Sequence, residues 1–217
     1  SKMYITGGIG AERGHEGFGK AYELPNLEAY CETCASIAFV LWNHRMFLLK
    51  GDARYYDVIE RTLYNGLLSG VSLSGDRFFY PNPLESHGGY ERKAWFGCAC
   101  CPANIARFLP SLPGYIYASK EEELYVNLFI QSQANLKMPG GNVNIKQFSR
   151  YPWEGKAGIS FRMEEPMEMT VKIRIPGWSE NRPVPGDLYS FDEELDADAL
   201  VFINGEVSGM DYISYQP

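Results

Sequence analysis

All five cysteines of this 217-residue chain fall in two short runs, Cys31-Glu32-Thr33-Cys34 and Cys98-Ala99-Cys100-Cys101-Pro102, and Cys98 stands 64 positions after Cys34. A fold that joins these runs gathers thiols and a carboxylate at one place, and three chemistries compete for them: a metal site, a disulfide pair or a reactive thiol. Zinc fits the residue types best, because a borderline-soft divalent ion takes thiolates and tolerates one carboxylate in a closed tetrahedral set. A disulfide framework fits less well, since a chain of this length does not depend on covalent staples and five cysteines leave one unpaired. Pro102 suits the first position of a helix that continues over 103–109, which puts Cys100 and Cys101 at or just before its N-terminus. There the helix dipole and a bound cation both favour a thiolate, so one cysteine could serve as nucleophile as well as ligand.

The surrounding composition narrows the partners. A net charge of −7 disfavours nucleic acid and anionic membrane surfaces. The longest strongly apolar stretch, 37–42, is far too short to cross a bilayer. Aromatic residues make up 14% of the chain, ample for a packed core. The chain opens at Ser1 within patterned sequence, which suggests a fragment and leaves the compartment open.

Taken in order, residues 1–25 are glycine-rich and irregular. No strand-turn-helix pattern surrounds the glycines, so they read as a loop that lets backbone pass close to a ligand or another segment. Glu16, held in that loop, is a candidate acid/base carboxylate, with Glu12 as its local competitor. Residues 26–50 read as a helix apolar nearly all round, hence buried on more than one side, and stopped by Gly51. Asp52 caps a second helix over 53–69, where Tyr56, Leu63 and Leu67 share a face with Glu60. Residues 71–97 break the rhythm: Phe78-Phe79-Tyr80 reads as a short strand, Pro81-Asn82-Pro83 as a turn, and Tyr80, Trp95 and Phe96 stand near the cysteine run. Pro110 and Pro113 shorten or kink the third helix.

Beyond Ser119 the period changes to two. Leu124, Val126, Leu128 and Ile130 alternate, as do Ile159, Phe161 and Met163, and Met167 to Ile175 alternate apolar with polar. Asn204-Gly205 marks a hairpin. One-faced strands of this kind predict an antiparallel β-sandwich, a second domain over 120–217 after a helical domain over 1–119. Its last strand, near Tyr215, lacks an evident partner.

Glu16, Glu32-Thr33-Cys34 and Cys98-Ala99-Cys100-Cys101-Pro102, with Leu24-Pro25-Asn26, Tyr80-Pro81-Asn82-Pro83-Leu84-Glu85 and Pro176-Gly177-Trp178, resemble glycoside hydrolase family 127 and its relative family 146, the β-L-arabinofuranosidases. The resemblance runs through almost the whole chain. It implies a multidomain α and β protein: the later part of an (α/α)6 catalytic barrel, then part of a β-sandwich. It further implies a retaining hydrolase releasing L-arabinose from β-L-arabinofuranosides of plant glycans, with a cysteine in place of the second carboxylate of most glycosidases. Carried over by position, Glu32, Cys34, Cys100 and Cys101 would bind Zn2+. Cys100 would be the nucleophile, Glu16 the acid/base, and Tyr80 and Glu60 would orient the nucleophile. The isolated fragment would be inactive, lacking half of the barrel. The sandwich could also join copies of the chain into a homo-oligomer.

Spacing and resemblance disagree at one point. On a regular helix, positions 32 and 34 point about 200° apart whereas 31 and 34 share a face. Spacing selects Cys31 as the partner of Cys34, and the resemblance selects Glu32. Glu32 works only if the helix begins near Thr33 and leaves Glu32 extended, and Cys31 is then the spare. Competing with catalysis are a non-catalytic zinc-stabilised carbohydrate-binding or scaffold module, and a thiol-disulfide protein built on Cys31-x-x-Cys34, which lacks the βαβ context that motif normally has.

Overall fold

The computed structural model describes residues 2–194 and 199–208. It is a mixed α and β structure in two compact units, Ser1–Phe108 with Ile175–Pro217, and Leu109–Arg174.

In the first unit the glycine-rich opening forms two tight reversals, bridged between Met3 and Ile9 and between Glu12 and Gly17. The glycines do serve close backbone approach. Gly7 has φ +80°, and a Cβ there would sit 2.5 Å from Thr62 Oγ1 and 2.7 Å from Thr62 Cα. Gly8 lies against Cys31, whose Sγ would be 3.0 Å from an added Cβ.

Helix α1 spans Thr33–Lys50 and so begins well after the expected residue 26. Cys31 has φ +41°, and Glu32 is extended at φ −57°, ψ 138°, so the helix cannot propagate backward through them. Thr33 is held instead by a neighbouring strand-like segment: its N–H donates to Tyr80 O at 3.0 Å and its Oγ1 to Phe79 O at 2.9 Å. The other end is as expected, with Gly51 left-handed and its N–H bonded to Phe47 O at 2.7 Å. Ile37, Val40 and Phe47 are buried, but Trp42 (64%), Leu48 (61%) and Leu49 (76%) are exposed. Within this chain α1 is therefore buried on one side, not all round.

Asp52 starts the next helix as expected: Oδ1 accepts the Arg54 N–H at 2.9 Å, and the carboxylate pairs with the Arg54 guanidinium. Helix α2 is regular over Arg54–Arg61, then widens to a π-turn over Thr62–Leu67 and tightens to a 3-10 turn over Leu68–Gly70. The expected single helix over 53–69 changes its winding because the Asn65 amide donates to Arg61 O at 2.9 Å, and Gly66 is pressed against the backbone of Thr6 and Gly8. Tyr56, Glu60, Leu63 and Leu67 are all buried on their shared face.

Residues 71–97 are irregular, anchored by Phe78, which bonds Lys93 both ways at 2.8 and 2.9 Å. Phe79 stacks on Tyr90, and the Arg92 guanidinium covers the Phe79 ring. Tyr80-Pro81-Asn82 then runs beside Tyr30 to Thr33, with Asn82 as the clasp. Its backbone N–H donates to Tyr30 O at 2.9 Å. Its side-chain amide donates to Cys31 O (2.8 Å) and Thr33 Oγ1 (3.0 Å), and its Oδ1 accepts the Ser69 hydroxyl at 3.0 Å.

Helix α3 spans Cys100–Phe108. It starts at Cys100, earlier than expected, and Pro102 sits inside the first turn, where a missing N–H has no intrahelical partner to lose. A 3-10 segment, Leu109–Tyr115, follows where Pro110 and Pro113 preclude regular continuation. The hairpin of β7 (Phe202–Ile203) and β8 (Glu206–Val207) turns through Asn204 (φ +53°) and Gly205 (φ +91°), the paired positive φ values of the expected turn.

The second unit holds two three-stranded sheets. β1 (Tyr117–Lys120), β2 (Glu123–Val126) and β6 (Thr170–Ile173) form one; β3 (Ser132–Met138), β4 (Gly141–Ser149) and β5 (Ala157–Met163) form the other as an antiparallel meander. Tyr117, Leu124 and Val126 from the first sheet share a core with Met138, Val143 and Ile145 from the second. The pairing is not uniformly antiparallel as expected: β2 and β6 run parallel, with Leu124 opposite Val171. The whole β3–β5 meander lies between them in sequence, long enough to return the chain in the same direction. The strand expected near Tyr215 lies outside the described residues. Among those described, no helix is long and apolar enough to cross a membrane.

Two substitutions test this frame. Gly7→Ala forces a Cβ into the Thr62 backbone at positive φ and is expected to destabilise the first unit by about 2–4 kcal/mol. Asn82→Ala removes the clasp and is expected to cost about 2–3 kcal/mol. Urea unfolding midpoints measure both.

Candidate active site and metal centre

The extended Glu32 and the start of α1 present a carboxylate and the Cys34 thiol to the first turn of α3. Ligand atoms of Glu32, Cys34, Cys100 and Cys101 all lie within 4.8 Å of one another. Cys100 Sγ is 3.5 Å and Cys101 Sγ 3.6 Å from Glu32 Oε1, and the two sulfurs are 3.8 Å apart. Two thiolates at about 2.3 Å from a tetrahedral ion are separated by about 3.8 Å, so this spacing suits a metal. Glu32 is 9% exposed and Cys101 fully buried. Burial pushes the Cys34 thiol up to about 11, against the opposing hydrogen bond from Asn104, and pushes Cys101 higher still. Without a cation these two thiols stay protonated near neutral pH, and a cation among them reverses that. Three sulfurs and one carboxylate oxygen can thus hold a metal ion.

With the helix starting at Thr33, the cluster takes in Glu32 and leaves out Cys31. Positive φ at Cys31 turns its side chain away from the cluster and into a small core with Tyr4, Ala11 and Ala29. Burial there raises its thiol to about 12. Cys98 is exposed and outside the cluster, and all five cysteines are free thiols.

The other expected residues fall at different depths around this centre. Tyr80 Oη is 3.0 Å from Cys100 Sγ, and that hydrogen bond, with burial, pushes the phenol well above the ordinary tyrosine range. Phe96 packs edge-on against the Tyr80 ring. Trp95 is largely exposed. Glu16 is exposed at the tip of the Glu12–Gly17 reversal, at φ +54°, with Oε1 2.8 Å from Tyr30 Oη. Glu60 is buried on α2, and its Oε1 accepts the Trp178 indole N–H at 2.9 Å. It is not one of the four grouped ligands.

Three neighbours of the candidate site were not legible from spacing: Asn82, which bonds Cys31 and Thr33; Tyr30, which bonds Glu16; and Trp178, which meets Glu60. Asn82 and Trp178 lie in motifs that were matched, but neither motif discloses a contact made across more than 40 residues. Tyr30 carries no sequence signal beyond its place before Cys31.

Comparison with known proteins places this geometry. Residues 1–114 match the model of the β-L-arabinofuranosidase GH127 catalytic domain, and residues 123–214 that of the GH127 middle domain. A non-reducing end β-L-arabinofuranosidase of Bifidobacterium longum subsp. longum is 38% identical over 194 residues, covering 82% of this chain and 29% of that protein. The solved structure of a GH127 β-arabinofuranosidase superposes with a TM-score of 0.94 at 54% identity, covering 97% of this chain and 33% of that one. A GH127 β-L-arabinofuranosidase from Geobacillus stearothermophilus T6 gives a TM-score of 0.83 at 41% identity, over 96% of this chain and 32% of its own. The chain thus spans about a third of the length of these relatives. Two family models covering most of its residues, together with relatives this similar, establish that the chain belongs to glycoside hydrolase family 127.

Proposed function

We propose that this chain carries the nucleophile, the acid/base and the metal ligands of a retaining β-L-arabinofuranosidase that releases L-arabinose from plant glycans. The observation that carries the reading is the meeting of Glu32, Cys34, Cys100 and Cys101 beside Tyr80. On this reading residues 1–119 belong to the later part of an (α/α)6 barrel and residues 120–217 to a β-sandwich.

Glu32, Cys34, Cys100 and Cys101 would hold zinc, the ion that this sulfur-rich donor set favours. A zinc ion bound there keeps the ligating thiols ionised near neutral pH. The chain's own residues do the rest. Cys100 sulfur attacks the anomeric carbon as the glycosidic C–O bond breaks, and Glu16 gives its proton to the departing oxygen. A thioether joins sugar and enzyme. Glu16, now a carboxylate, takes a proton from water; the water oxygen bonds to the anomeric carbon, the C–S bond breaks, and the thiolate is restored. Two displacements at one carbon retain its configuration. Tyr80, a neutral phenol 3.0 Å from the sulfur, orients Cys100. Glu60, which the resemblance makes an orienting residue of the nucleophile, accepts the Trp178 indole N–H and so steadies α2 against that ring.

In a full-length GH127 polypeptide carrying this chain, Cys100→Ser is expected to lower hydrolysis of nitrophenyl β-L-arabinofuranoside by at least ~10³-fold with the fold retained. Glu16→Gln is expected to slow substrates with poor leaving groups by about 10²–10⁴-fold. Hydrolysis undiminished in Cys100→Ser would favour a non-catalytic metal module. Elemental analysis should find close to one zinc per chain. Because Cys34 and Cys101 must lose protons to bind, apparent metal affinity should rise by at least ~10-fold per pH unit across the neutral range, read by competition with a chromogenic chelator.

A further inference from the structure

Glu16 sits on an exposed loop tip, yet an acid/base must deliver its proton from one defined oxygen. Among the described residues the hydrogen-bond partner of its carboxylate is Tyr30, whose Oη donates to Oε1 at 2.8 Å. Tyr30 is itself fixed. The residue is 9% exposed, its carbonyl accepts the Asn82 N–H, and the next residue's N–H donates to Gly10 O at 2.8 Å. Its ring is 6.2 Å from that of Tyr80, and Tyr80 Oη is 3.0 Å from Cys100 Sγ. A continuous set of side chains therefore runs from Glu16 through Tyr30 and Tyr80 to the proposed nucleophile.

We propose that Tyr30 is the positioning residue of the acid/base. This rests on the reading of Glu16 given above and assigns it an oxygen. The phenol has one hydrogen to donate, and it is spent on Oε1 whether Glu16 is a carboxylate or an acid. The transferable proton is thereby confined to Oε2. It leaves from Oε2 to the glycosidic oxygen and returns to Oε2 from water, while Tyr30 keeps its own proton throughout. Because Tyr30 lies two residues before Glu32, the acid/base is set in register with the ligand segment by the chain itself, despite its loop position.

The test uses kcat/KM, which reports the first displacement, in a full-length GH127 polypeptide carrying this chain. Two substrates are compared: nitrophenyl β-L-arabinofuranoside, whose leaving group departs without a proton, and an alkyl β-L-arabinofuranoside, whose leaving group needs one. Tyr30→Phe is expected to lower the alkyl rate by ~10-fold or more beyond any loss on the nitrophenyl substrate, with zinc content unchanged. In a Glu16→Gln background the same substitution should leave the alkyl-to-nitrophenyl ratio within ~3-fold. Replacing Tyr30 by 3-fluorotyrosine, which keeps the donor, should restore the ratio to within ~3-fold of the parent. Equal losses on both substrates, or loss of fold or metal in Tyr30→Phe, overturn the proposal by making the hydroxyl merely structural. An unchanged alkyl rate in Glu16→Gln overturns the acid/base reading itself.

Discussion

The backbone reversal at Cys31, held open by the Asn82 clasp, is the constraint on which the site depends. A residue at φ +41° followed by an extended Glu32 does two things: it buries the Cys31 thiol on the far side, and it frees Glu32 from the helical face it would otherwise occupy. Had α1 begun a turn earlier, Cys31 and Cys34 would share a face and Glu32 would point elsewhere. A side-chain amide bonding both Cys31 O and Thr33 Oγ1 holds an arrangement that L-residues rarely adopt unaided. The close approach of Gly8 to Cys31 leaves room for that reversal.

The same tertiary contacts set the electrostatics. Thiols removed from water resist ionisation, and the buried Cys101 and half-buried Cys34 do so strongly. Such a cluster is chemically quiet by itself and responsive to a cation. Burial raises the Cys31 thiol as well, so what separates it from Cys34 is its direction: it faces Tyr4, Ala11 and Ala29 and stands outside the group of Glu32, Cys34, Cys100 and Cys101.

Around the centre, the side chains are held in different ways. Glu32, Cys34, Cys100 and Cys101 stand at helix starts. Tyr80 is tied to both Thr33 and Cys100. Glu16 stands on a short bridged loop, where its Oε1 accepts the Tyr30 hydroxyl. Glu60 joins α2 to the Pro176-Gly177-Trp178 turn, where Asp57 also accepts the Gly177 N–H. The matched Pro-Gly-Trp motif is therefore a brace for the helix that bears Glu60.

Much of this was legible in the sequence. The two cysteine runs, the glycine stop at Gly51, the cap at Asp52, the inward Glu60 and the Asn204-Gly205 turn are local features, and local chemistry dictates them. Resemblance to family 127 named Glu32, Cys34, Cys100 and Cys101 together, the four residues that meet in the structure, which spacing alone could not do. What only the tertiary structure decided was where α1 starts, which side of the chain Cys31 faces, how α2 widens against Gly8, that β6 returns parallel to β2, and that Tyr30 reaches Glu16. Each depends on a contact between segments distant in sequence, and the periodicity of a single segment carries no information about the neighbour that overrides it.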